Sequence, residues 1–365
     1  MCAKIKMIFL ICFILKYSLF FSQASYNNYY SKNSESIEDL RNSNLNQFEN
    51  RLLEYKFYFY SELHETESLG IAKAALNDFL FKQKKIEAVF MEYPVSLYSD
   101  FIVLQKMEHS DTNDLDFKTI YNNQHEEKII LKNLYKNRKY NFRIIPVDVI
   151  YPHQIMLSDF VMKFPLLKKN KKTFKDFKKL KVINFNPFIT DKNKFKYYLD
   201  YKKKVIENYD LYKQVLGLTE FTKFLDMLDG IEICKDCAKN DTTAFFEQMR
   251  EDFLYKNIKN EINKNLRGNY ISFNGHFHTT SIYPNDCNCS GNFEVLASRI
   301  KKEIKTAVIY FMNSKDDDFA DYFFKEEKNI LMQMVQDHVP KIIYLKGENS
   351  PFIKMQNNYE FVVVW

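Results

Sequence analysis

Apolar and polar positions along this chain switch repeatedly between a period of two and a period near 3.6, the mark of alternating strands and helices. The clearest such unit runs from Lys56 to Pro94. It opens on a short strand-like run and breaks at Ser61-Glu62-Leu63-His64-Glu65. It then continues as a helix with Leu69, Ala72, Leu76 and Phe79 at spacings of three and four. A second apolar run, Ala88 to Met91, ends on Glu92. The pattern predicts a β-α-β unit with ionisable groups at both strand exits. If the two strands are parallel neighbours, Glu62, His64 and Glu92 meet at the edge where open α/β sheets bind ligands.

The same reading extends along the chain. Phe48, Leu52 and Leu53 predict a short helix ahead of the first strand, Tyr98 to Asn123 a mixed helix and loop, and Glu126 to Asn137 a helix. Phe142 to Val149 reads as a strand whose Pro146 places it at an edge or at its own end, with Asp148 at its exit. Residues 151 to about 230 are Lys-rich and helix-like, an inserted layer or cap. Ala244 to Leu266 has long-helix spacing, with Arg250, Leu254 and Asn257 on one face. A strand at Tyr270 to Phe273 leads into Asn274-Gly275-His276-Phe277-His278. A helix from Phe293 to Ile304 and a strand from Thr306 to Met312 follow, then late strands at Ile342 to Leu345 and Phe361 to Val364. Together these predict an α/β fold: a central, mostly parallel sheet with helices on both faces and a helical insertion. No Pro/Gly/Ser-rich linker divides residues 47–365, which read as a single domain. The polar residues 25–46 read as a mobile N-terminal extension.

The first 24 residues read as a leader. Lys4 and Lys6 precede an apolar run from Met7 that is interrupted by Lys16 and resumes to Phe21, and Ser22-Gln23-Ala24 offers small residues for cleavage. Cleavage near Ala24 would send the rest to a secreted or periplasmic location, with no integral membrane segment remaining. Export bears on the cysteines. Cys234 and Cys237 form C-x-x-C, and Cys287 and Cys289 form C-x-C. In an oxidising compartment these make two disulfides, a four-thiolate zinc site being the alternative. The net charge of +6 loses three units with the leader lysines, and the basic run Lys168 to Lys181 carries no nucleic-acid motif. Only 7 Gly are present, and no Walker or dinucleotide fingerprint appears.

Three strand exits therefore carry the candidate chemistry. Glu62 and His64 leave the first strand and Glu92 the second, while His276 and His278 follow a late strand. On an extended backbone the two histidines share a face; a turn at Gly275 would let only one of them reach the crevice. Arg250 could deliver a guanidinium there or pair on the surface with Glu247 or Glu251. His109, His125, His153 and His338 have no comparable context.

These motifs, taken in order, resemble those of the erythromycin-esterase and ChaN-like superfamily: S-E-L-H, V-F-M-E-Y-P, R-E-D-F-L-Y-K-N and N-G-H-F-H, spread over residues 56–280. Three departures stand out. Ser61 replaces the usual glycine, Glu251 replaces the usual aspartate after Arg250, and the late motif can be read to select either His276 or His278. The resemblance implies a small-molecule hydrolase cleaving an ester, lactone or amide. His64 would act as base on a water, with Glu62 and Glu92 orienting it. Arg250 and His276 or His278 would stabilise the oxyanion or hold substrate, and Asp148 and Asn257 would help bind it. No cofactor is required by that scheme. The alternatives are haem, from the ChaN-like side, and a divalent metal such as zinc or manganese held by Glu62, His64, Glu92 and a late histidine, His278 or His276.

Overall fold

The computed structural model describes residues 28–42, 47–62, 67–95, 101, 125–149, 192–237, 243–280, 294–313, 318–335 and 339–365. The expected leader, His64, the basic run Lys168 to Lys181, Cys287 and Cys289 lie outside the described residues, as do the side chains of Glu62, Cys234 and Cys237.

Its strands are β1 (Ser34–Ser36), β2 (Phe57–Glu62), β3 (Ile86–Pro94), β4 (Arg143–Asp148), β5 (Asn269–Gly275), β6 (Thr306–Met312), β7 (Lys341–Tyr344) and β8 (Phe361–Val364). They form one sheet in the order β1-β7-β8-β6-β2-β5-β3-β4. The six strands from β8 to β4 are parallel, and only β1 and β7 run against their neighbours. The fold is therefore α/β with a mostly parallel sheet, as the periodicity predicts.

Two expectations need correcting. β2 and β3 are parallel but are not neighbours: β5 lies between them and bonds to both. The crossover helix α3 (Glu67–Gln83) skips one position, which β5 fills. This strand suits a central place because its residues from Tyr270 to Gly275 are buried on both faces. Residues 28–42, inside the stretch expected to be a mobile extension, instead add β1 to the sheet edge and a helix, α1 (Ile37–Asn42). Their polar composition conceals well-placed apolar anchors, since Tyr29, Ile37 and Leu40 are buried.

Each sheet face carries its own core. Under α3 and α4 (His125–Asn137) lie Tyr58, Tyr60, Met91, Phe273 and Phe311, against Leu69, Leu76 and Leu134. On the other face Phe57, Phe59, Phe90 and Val147 meet Leu254, Ile258 and Ile262 of α8 (Thr243–Ile262) and Leu296 of α9 (Leu296–Lys301). This last helix is shorter than the expected span from Phe293 to Ile304. The helical insertion is seen as α5 (Lys192–Glu207), α6 (Tyr209–Leu216), α7 (Leu218–Cys237) and is linked to α8 by ion pairs such as Lys256–Asp229 at 3.0 Å. Short α2 (Gln47–Leu53) precedes β2, and α10 (Asp318–Phe323) and α11 (Lys325–Met334) follow β6.

Candidate active site

All six parallel strands point the same way, so the exits of β2, β5, β3 and β4 lie side by side. Gly275 at the end of β5 is in register with Glu62 at the end of β2. Its N–H donates to Glu92 Oε2 at the end of β3. One backbone residue thus links the two strand exits on which the carboxylates were expected.

The helix α8 brings Arg250 to the same place. Its Nε and Nη2 donate to the two oxygens of Asp148 at 2.9 and 2.6 Å, and Nη2 also donates to Glu92 Oε1 at 2.6 Å. This fork on Asp148 suits a planar guanidinium and fixes its orientation. The alternative of a surface pair with Glu247 or Glu251 is set aside, since the Arg250 side chain is only 12% exposed and is occupied by the sheet-end carboxylates. Asp148 itself also accepts the N–H of Val149. Asn257, expected near substrate, is fully buried and donates to Val147 O at 3.0 Å. It ties α8 to β4.

After Gly275 the chain turns into a short 3₁₀ helix, His276–His278, which sends the two histidines to different neighbours. His278 enters the charged cluster. Its Nδ1 bonds to Glu251 Oε1, and its Nε2 lies 3.1 Å from Glu92 Oε1. Glu251 in turn accepts the N–H of Leu296 at the start of α9. Burial disfavours the charged form of this ring, but Glu92 and Glu251 outweigh both burial and Arg250 and raise its pKa to about 10. The ring is therefore an imidazolium at neutral pH, a donor at both nitrogens and not a proton acceptor.

His276 goes elsewhere. Its Nδ1 bonds Ser61 Oγ at 2.7 Å, and Ser61 accepts from Thr279 Oγ1 at 2.5 Å. The ring packs within 4.5 Å of Tyr310 and 4.0 Å of Phe319, measured between ring centres. Of the two histidines the sequence left open, the described contacts bring His278 to Glu92 and have His276 pin the β5 exit turn to β2. Ser61, where the resembling family has glycine, supplies the hydroxyl for that tie.

The site so described contains Glu92, Asp148, Arg250, Glu251 and His278. Glu251 was read from the sequence as a departure and as a possible surface partner of Arg250, not as a site residue, yet a signal was present. It falls three, seven and eleven residues before Leu254, Ile258 and Ile262, on the apolar stripe of α8. An acid on an apolar stripe is buried, and a buried acid needs a partner. The N–H of Gly275 could not have been found, because it depends on β5 separating β2 from β3.

Of the metal ligands suggested by the sequence, His64 and the side chain of Glu62 lie outside the described residues, and Glu92 already accepts from the Arg250 guanidinium. His278, the other candidate ligand, has both nitrogens on carboxylates.

No family model matches this sequence, and no curated protein matches it. Among solved structures, the chain is similar to a Bacillus cereus protein at 16% identity and TM-score 0.64, over 94% of this chain and 97% of that one. It is also similar to a histidine-to-asparagine mutant of the erythromycin esterase EreC in its open conformation, at 10% identity and TM-score 0.59, over 91% and 97%. A succinoglycan biosynthesis protein aligns at 12% identity and TM-score 0.50, over 80% and 75%. ChaN of Campylobacter jejuni, with cofacially bound haem, overlaps at TM-score 0.35 and 12% identity, over 76% and 91%, which carries nothing for this chain. At these identities the likeness is one of fold, and that fold is the one to which the ordered motifs pointed.

Proposed function

We propose that this chain is an exported, erythromycin-esterase-like hydrolase that cleaves an ester, lactone or amide with a water activated by His64. The observation that carries this reading is Gly275, in register with Glu62 on one side and bonded to Glu92 on the other. Two residues of chain cannot carry His64 more than about 7 Å beyond Glu62. In this reading His64 serves the crevice of Glu92, Arg250 and His278. The imidazolium state of His278 leaves the base role to His64.

In the proposed reaction His64 takes a proton from water as the water oxygen attacks the substrate carbonyl carbon. The carbon–heteroatom bond then breaks, and His64 returns the proton to the leaving alkoxide or amine. Glu62 and Glu92 orient the base and the water. Arg250 and His278 hold Glu92 in place and supply positive charge close to the developing oxyanion. Export to a secreted or periplasmic location is proposed from the leader-like residues 1–24.

A panel of aryl esters and lactones, assayed with and without chelator, tests the reading. A folded His64→Ala variant is expected to lose about 10²–10⁴-fold in kcat for any substrate the wild type cleaves. Full hydrolysis by that variant would remove His64 as the base.

A further inference from the structure

The amino ends of the parallel strands, remote from the crevice, hold a lysine for which the reaction above has no use. Lys84 directly follows α3 and is half-buried where β2 and β5 begin. Its side-chain nitrogen donates to Tyr55 O at 2.5 Å and to Asn269 Oδ1 at 3.3 Å. It also stands 5.7 Å from the centre of the Tyr58 ring, whose hydroxyl donates to the same Tyr55 carbonyl at 2.8 Å. Among the described residues Lys84 has no carboxylate partner, its acceptors being these two carbonyl oxygens. Glu54, the acid beside Tyr55, is taken by Lys305 at 2.8 Å, and the Lys305 ammonium lies 5.4 Å from the centre of the Tyr55 ring. Lys56, on the other side of Tyr55 in the chain, donates its backbone N–H to Lys305 O. Lys56, Lys84 and Lys305 thus converge on Tyr55.

A lysine becomes a nucleophile when lost hydration and neighbouring cations both favour its neutral form. Lys84 meets both conditions. Burial first, then Lys56 and Lys305, push its pKa down to about 8. With two N–H groups spent on Tyr55 and Asn269, the lone pair of the neutral amine points away from those carbonyls. Half-burial leaves the nitrogen within reach of a small reagent. We propose that Lys84 is an acylation site, a nucleophilic amine that takes an acyl group from small activated donors such as acyl phosphates and thioesters. Its lone pair attacks the acyl carbon and an N–C bond forms. The acyl–oxygen or acyl–sulfur bond breaks with its electron pair on the departing phosphate or thiolate, and the amine proton passes to solvent. The product is a neutral amide, which removes one of three like charges gathered at Tyr55. This inference is independent of the hydrolase reading.

Trace labelling of the intact wild-type chain with acetic anhydride tests this without any variant. The acetylated protein is digested with a protease that does not cut at lysine, and the label at each site is read by mass spectrometry. Lys85, the next residue, is the internal reference: its side chain is 79% exposed and pairs with Glu87 at 3.0 Å. Near neutral pH, Lys84 is expected to react about tenfold faster than Lys85. Its rate should level off above about pH 9, short of the ordinary lysine midpoint of about 10.4. Acetyl phosphate, a donor of the proposed class, is expected to give the same ranking. Lys84 reacting no faster than Lys85 with either reagent, or a rate still climbing steeply at about pH 10, would overturn the inference.

Discussion

His278 donates from both ring nitrogens to carboxylates, and that decides what it can do. Its folded pKa of about 10 lies above the ordinary histidine value of 6.5. A raised pKa stabilises the folded state fully below the unfolded pKa, and the contribution fades as pH climbs through the folded one. The wild type is therefore expected to exceed His278→Gln in unfolding free energy by several kcal/mol near pH 6, with the gap closing towards pH 10. Denaturant unfolding at a series of pH values measures this. A gap that stays constant across that range would mean the ring is neutral in the fold. Arg250 was legible at this scale by its place on a long helix, and Glu251 is legible in hindsight by its place on an apolar stripe. The division between His276 and His278 was not, because the turn after Gly275 is set by Ser61 and Thr279 bonding to His276, a tertiary arrangement.

At the scale of elements, periodicity located the strands well because most are buried on both faces and read as continuous apolar runs. It could not order them. A crossover helix fixes the direction of the next strand and its hand, not how many places it skips. That is why β2 and β3 read as neighbours although β5 separates them. β1 escaped notice for another reason: three residues of edge strand carry little apolar signal, and the anchors Tyr29, Ile37 and Leu40 are spread among polar residues. Each of those anchors is worth about 1.5–3 kcal/mol of burial. Deleting residues 25–42 would also strip β7 of its outer partner and expose a new sheet edge. The truncated chain is expected to melt several degrees lower and to scatter light at concentrations where the full chain does not. An unchanged Tm would show that β1 and α1 add nothing to the fold.

For the whole molecule, the layered α/β plan was legible from alternation alone, and the order of the motifs pointed to the carboxyl ends of the parallel strands. Sequence could not supply the way four strand exits and one helix put Glu92 at the centre, bonded to Arg250, His278 and the backbone of Gly275. The central claim is that this carboxyl edge performs the hydrolysis. A matched change at the opposite edge provides the control: Glu54 ahead of β2 is exposed and pairs with Lys305 at 2.8 Å. The decisive measurement is kcat/KM on the best ester of the panel for Glu92→Gln beside Glu54→Gln. The site described here predicts a loss of about 100-fold or more for Glu92→Gln and wild-type activity for Glu54→Gln. Wild-type turnover by Glu92→Gln would contradict it.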